Sequence, residues 1–218
     1  MKLKKIASLA LAGIMAVSML AGCSTTGNEE ENNNGENNEV VAASVADYAN
    51  SLLSGAQKNV FEFKNSTELT AAVQKIAGNS EKYTSADIKD AYDRVTFYSG
   101  NNDLAAELKK ELKLDFDNTN TDGLAETDDE GTKTVGFVYD VSGKLTESSA
   151  VQLVIDYFAG ETMSDDRYFP ATIAAGSLKC DYTAEISAVK VNAPDTSKNS
   201  SWVVAIVVTQ NAVEDATV

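Results

Sequence analysis

No histidine occurs anywhere in the 218 residues. That absence removes the Ser-His-Asp and Cys-His nucleophile pairs, the H-E-x-x-H zinc site, haem attachment through C-x-x-C-H, and histidine as a general base near neutral pH. Carboxylate chemistry, Ser-Lys chemistry and hard-metal binding stay open. Basic residues are also scarce, 18 Lys and Arg against 33 Asp and Glu. A chain this acidic is repelled by phosphate backbones and anionic lipid surfaces, so no nucleic acid partner is expected. Strong negative charge also serves solubility alone and therefore does not identify a ligand. Cysteine occurs twice, at Cys23 and Cys180.

The chain begins with Lys2, Lys4 and Lys5 and an apolar run over residues 6–20. A charged n-region followed by an apolar h-region reads as a secretory signal. Taken to Gly22, the run only reaches the lower edge of the roughly 17–25 residues a bilayer crossing needs, and no basic stop-transfer cluster follows. Leu20-Ala21-Gly22-Cys23 closes the run, and it resembles the lipobox of bacterial lipoproteins. The resemblance covers the first tenth of the chain and implies cleavage before Cys23, whose sulfur would carry a diacylglyceryl group. Burial in a bilayer contributes about 0.8 kcal/mol per CH₂, so two acyl chains hold stably where one holds marginally.

Residues 24–39 contain only Ser, Thr, Gly, Asn and Glu. Such a stretch cannot bury enough surface to offset its chain entropy and is expected to be a disordered tether. Its root-mean-square span as a flexible coil is roughly 20–25 Å, enough to lift a domain clear of the headgroups. With the three leader lysines removed, residues 23–218 carry 15 basic and 33 acidic side chains, a formal charge of −18. The expected organisation is a signal peptide over 1–22, a lipidated cysteine and tether over 23–39, and one domain over 40–218.

The first half of that domain reads helical. Val41, Val45, Tyr48 and Leu52 recur at helical spacing, as do Leu69, Val73 and Ile76 behind Asn65 as a cap with Glu68 three residues on. Ile88, Tyr92 and Val95 follow Thr84 and Ser85, and Leu104, Leu108 and Leu112 form an i, i+4, i+8 row. Val60-Phe61-Glu62-Phe63 reads either as a short strand or as a turn that wedges its aromatics into the core.

The second half reads mainly as strand. Val135, Phe137 and Tyr139 alternate, Gly143 supplies a turn, and a further helix spans 146–159 with Gly160 as its stop. Residues 178–191 are expected to pair with 202–209 as a hairpin across a loop with Pro194 and Asp195. Trp202 to Val208 is apolar on both faces, as a central strand covered by helices on at least one side would be. Along its partner the apolar positions slip from even (Ile186, Ala188) to odd (Val189, Val191), which predicts a bulge near Ser187. Leu178, Cys180, Tyr182, Ala184 and Ile186 alternate as one strand face, so Cys180 reads as a packed core thiol. The predicted fold is α+β, a helical N-terminal half packed on a small, mainly antiparallel sheet.

Four stretches carry chemically suggestive residues. Ser187-Ala188-Val189-Lys190 has the letters of the S-x-x-K motif of penicillin-binding enzymes, whose serine and lysine share a helix face. In a strand, residues three apart point to opposite faces unless a bulge intervenes. The segment 118–129 resembles a calcium loop of the EF-hand or dockerin kind, with oxygens at positions one, three, five, nine and twelve and Gly123 at six. Asn118, Ala125 and Asp129 depart from that pattern and a strand follows instead of a helix, so the competing reading is a metal-free connector. Asp165-Asp166-Arg167-Tyr168-Phe169-Pro170 joins charge to two aromatics; it reads as a partner contact or as rings folded under to cap the sheet. Asp140 and Asp156 would suit acid and base work on a glycosidic bond if 5–10 Å apart, and otherwise read as surface carboxylates.

The expected function is a lipid-anchored, extracytoplasmic binding or interaction protein of a bacterial cell envelope, at the outer face of the cytoplasmic membrane. Its partners would be the membrane, through Cys23, and an extracellular ligand or protein. No catalytic residue, metal ligand or cofactor is assigned. The rival classes are a carboxylate- or metal-dependent hydrolase of envelope or dietary polymers, favoured by a close buried acidic pair, and a solute-capture lipoprotein serving a transporter.

Overall fold

The computed structural model describes residues 44–79, 96–97, 103–116, 130–163, 168–193 and 199–214. The leader with Cys23, the tether, the helix expected near 84–95, the segment 118–129, Asp165 to Arg167, and Pro194 with Asp195 lie outside these residues. The described helices are α1 (Val45–Leu52), α2 (Gly55–Val60), α3 (Thr67–Ala77), α4 (Asp103–Leu112) and α5 (Glu147–Tyr157). The described strands are β1 (Phe63–Asn65), β2 (Thr96–Phe97), β3 (Asp115–Phe116), β4 (Gly131–Ser142), β5 (Thr172–Ile173), β6 (Leu178–Asn192) and β7 (Ser200–Glu214). None of these helices is long and apolar enough to cross a membrane.

The helix starts follow from side chains that satisfy the first free N–H groups. Ser44 and Asp47 form a capping box on α1, and Ser54 and Gln57 form one on α2. Gln57 also donates from Nε2 to the Ala159 carbonyl, 3.2 Å away, tying α2 to the π-helical turn that follows α5. The cap of α3 is Ser66, whose Oγ accepts from the Leu69 N–H, and not Asn65. Asn65 belongs to β1 and its Oδ1 accepts instead from the Ala46 N–H of α1. Thr146, the first residue of the expected helix, is the cap of α5. That helix does not stop at Gly160: the chain runs on through a π-helical turn over Phe158–Met163 that contains it.

The sheet is ordered β1-β6-β7-β4-β2, with β3 also on β4 and β5 also on β6. The long strands β6 and β4 both pair antiparallel with β7 between them, while β1 and β3 join parallel, so the sheet is mixed, with its long pairings antiparallel. The expected hairpin is present as β6 and β7. Its register runs unbroken from Leu178↔Glu214 to Asn192↔Ser200, so there is no bulge near Ser187.

The apolar phase slip along β6 has another cause. Val204, Ile206 and Val208 of β7 face α1, α2 and α5 together with Phe137, Tyr139, Ala184 and Ile186; this is the front face. Val203, Ala205 and Val207 face α3 and α4 on the back, together with Val138, Val189 and Val191. Helices therefore cover both sides, and every residue from Val203 to Val208 is at most 5 % exposed. Ala188 is on the front and Val189 on the back, each meeting a different helix layer, which needs no irregularity in the strand.

Of Val60-Phe61-Glu62-Phe63 only Phe63 is strand, Val60 being the last residue of α2, and the wedge alternative describes the rings of Phe61 and Phe63. Phe63 opens β1, where its backbone exchanges two hydrogen bonds with the Asn50 side chain, and both rings are buried in the front cluster. Around them Phe158 sits at 0 % exposure with its ring centroid 5.2 Å from Phe137, 6.2 Å from Phe63 and 6.2 Å from Phe169.

Gly143, in the turn after β4, donates its N–H to the Ser200 carbonyl. A Cβ there would lie 2.4 Å from that carbonyl oxygen, and the backbone cannot yield as a flexible side chain would. Gly143→Ala is expected to cost about 1–3 kcal/mol, the usual range for forced overpacking, read as a lower denaturant midpoint at unchanged slope.

Candidate functional site

Among the described residues, helices cover the back face over only part of its length. Beyond α3 and α4, β6 presents Lys179, Asp181, Thr183 and Glu185, all exposed, and β7 presents Asn211 and Val213, the latter 41 % exposed. Register sets these side chains in rows across three strands. Thr183, Thr209 and Thr134 form one row, and Asp181, Asn211 and Thr132 form the next. Neighbouring strands lie about 4.8 Å apart, so each row is a short ladder of polar groups. Thr134 and Thr209 join their hydroxyls at 3.1 Å, and the Thr132 hydroxyl donates to Asn211 Oδ1 at 3.4 Å.

Where the bare rows meet the helices, a groove of about 230 Å³ opens. Its floor is Val207, Thr209, Thr134, Thr183 and Glu185. One wall is the start of α3, with Ser66, Glu68 and Leu69; the other is Leu112 and Leu114 at the end of α4. The Ser66 hydroxyl is occupied in capping Leu69. The arrangement offers hydroxyls, two carboxylates and an apolar wall, a surface suited to recognition by complementarity.

The residues singled out in sequence fall elsewhere. Asp140 is 2 % exposed, and its place in β4 between Tyr139 and Val141 of the front cluster puts it on the back face. Asp156 is exposed on α5, which packs on the front. The sheet thus stands between the two carboxylates, and they are not an acid and base pair; nor is Asp140 a surface group. Ser187 and Lys190 also lie on opposite faces. Ser187 is buried on the back, its Oγ 2.9 Å from Thr70 Oγ1, whereas Lys190 on the front places its Nζ 5.8 Å from the Trp202 ring centroid. With no bulge to bring them together, the S-x-x-K spacing forms no dyad.

Phe169 is 6 % exposed, its ring 5.3 Å from Phe61 and 5.4 Å from Tyr182, so it caps the front core rather than presenting itself to a partner. Tyr168 is half-buried against the same cluster.

Cys180 is a buried free thiol in a satellite cluster with Ile173, Leu178 and Ala212, as its alternation predicts. Burial pushes its pKa up, away from the thiolate that reacts. Beside it, burial also raises Tyr182, whose hydroxyl donates to the Pro170 carbonyl and accepts from Gln210 Nε2. This is a satisfied structural network. Among the described residues no group of three or more Cys, Asp or Glu is placed to hold a metal ion.

The groove itself was not anticipated. Its signal in the sequence is the run of polar odd positions on β6, Lys179 to Glu185, matched by Thr209 and Asn211 after the doubly apolar stretch of β7. Comparison with protein-family models, with curated proteins and with solved structures finds no match for this chain.

Proposed function

We propose that this chain is a lipid-anchored binding or interaction protein of a bacterial cell envelope, held by Cys23 and engaging its partner through the back-face groove. The anchor rests on Leu20-Ala21-Gly22-Cys23 and the polar run behind it. The binding role rests on one observation above the others: among the described residues, the helices that cover both faces of the sheet leave the end of one face bare, and a groove lies where cover and bare rows meet. A tether with a root-mean-square span of roughly 20–25 Å would lift the domain clear of the headgroups.

Thr183 is exposed and Thr209 half-buried on the groove floor, so arginine at both positions would fill the groove with little damage to the core. After solubilisation of native envelopes in mild detergent, the wild-type chain is expected to elute in a complex larger than its own micelle. The Thr183→Arg, Thr209→Arg variant is expected to elute alone. Identical elution of both would remove the groove from the binding role.

A further inference from the structure

Resting on that binding reading, we propose that the groove takes a lysine or arginine side chain presented by a basic segment of a partner polypeptide. Charge is the first ground. Glu68 and Glu185 line the groove, and among the described residues neither has an ion-pair partner, whereas Glu111, Glu107 and Asp181 are paired with Lys75, Lys110 and Lys179. No described residue lining the groove is basic. Lys64, the register neighbour of Glu185 on β1, and Lys113, between the two wall leucines, are both exposed and stand beside the groove rather than in it.

Shape is the second ground. A lysine or arginine has an apolar stem and a charged tip, and such side chains lay their methylenes on apolar surface while the tip stays with polar groups. Leu69, Leu112 and Leu114 offer the wall for the stem, and the Thr183, Thr209 and Thr134 hydroxyls and the two carboxylates offer acceptors for the tip. The start of α3 would by itself favour an anion. Here the Ser66 cap occupies one of its N–H groups and Glu68 sets a negative charge in its first turn, which leaves an anion no advantage.

The surroundings favour a polypeptide over a free amine. At about 230 Å³ the groove has room for one side chain but does not engulf a ligand as pockets of roughly 300–1,000 Å³ do. It also lies next to the exposed row Asp181, Asn211 and Thr132, which gives the rest of a chain somewhere to lie.

The test uses the full chain in detergent micelles, with its leucine, valine and threonine methyl groups observed by NMR. The probes are acetyl-Gly-Arg-Gly-amide, the same peptide with uncharged citrulline for arginine, and cadaverine. Saturable shifts at the methyls of Leu69, Leu112, Leu114 and Val207 are expected with the arginine peptide. Citrulline should bind at least about fivefold more weakly, and the Glu68→Gln, Glu185→Gln variant should lose about tenfold, the loss two exposed charge pairs can cause. Silent methyls, an equal response to citrulline, or an unchanged affinity in the double variant would overturn the cationic ligand. Cadaverine binding as tightly as the peptide would overturn the polypeptide source. Failure here with the elution difference of the arginine variant intact would discard the ligand class and leave the binding role standing.

Discussion

Exporting residues 24–218 behind an ordinary secretory leader, without Cys23, is expected to move the protein from the detergent phase to the aqueous phase in a phase-partition experiment. The wild-type chain should do the reverse. The effect is all-or-none because the proposed anchor rests on one sulfur. With each buried CH₂ worth about 0.8 kcal/mol, two acyl chains anchor stably, and nothing in the polar run 24–39 replaces them. The strong negative charge of the remaining chain would oppose anionic headgroups rather than bind them. Intact mass adds a second reading of the same prediction: a chain starting at Cys23 and carrying a diacylglyceryl mass, absent when the cysteine is absent. A wild-type chain that partitions into water, or an unacylated Cys23, would contradict the anchor.

Phe158→Ala is expected to be the most damaging single change in the described core. Its ring is fully buried at the start of the π-helical turn and meets Phe61, Phe63, Phe137, Tyr139 and Phe169 at centroid distances from 5.2 to 6.5 Å. Truncating such a side chain removes its transfer free energy and leaves a cavity that closely packed rings cannot close, a loss of about 3–5 kcal/mol. Aromatic pairs arranged edge to face add about 0.5–1.5 kcal/mol beyond area, and the Phe137 contact, at 70° between planes, is of that kind. A domain of this size has on the order of 5–15 kcal/mol in all and loses about 2–4 °C per kcal/mol, so the variant should melt roughly 6–20 °C lower. A shift of only a degree or two would show that the aromatic cluster does not hold α5 to the sheet as described.

Much of the architecture was legible because it follows from period and burial along single segments. The apolar stripes of Val45 to Leu52, Leu69 to Ile76 and Leu104 to Leu112 became α1, α3 and α4. The doubly apolar run from Val203 to Val208 became the central strand with helices on both sides. What was misread depended on contacts distant in sequence. Asn65 looked like a cap because Glu68 follows at capping-box spacing, but Asn65 is drawn to Ala46 across nineteen residues, and Ser66 does the capping. Gly160 looked like a stop, yet the chain continues there as a π turn. The slip in phase along β6 looked like a bulge because one strand's sequence does not say that α3 covers only its second half.

The site was less legible for the same reason. Thr183, Thr209 and Thr134 are separated by tens of residues and become neighbours only through the register of β6, β7 and β4. The stretches that caught the eye did so by local spelling. Ser187 and Lys190 are parted by the alternation of a strand, Asp140 and Asp156 by the sheet itself, and Phe169 is drawn inward by Phe61 and Tyr182. A short motif states which groups are present; which side of a sheet they occupy depends on what covers it.

The most direct test of the account places a photo-crosslinking residue at Thr183, on the groove floor, and in a separate strain at Ser148, exposed on α5 over the opposite face of the sheet. Irradiation of intact cells followed by isolation of envelopes is expected to give a discrete adduct from position 183 and none from position 148. The same adduct from both positions, or from position 148 alone, would contradict a partner held on the back face.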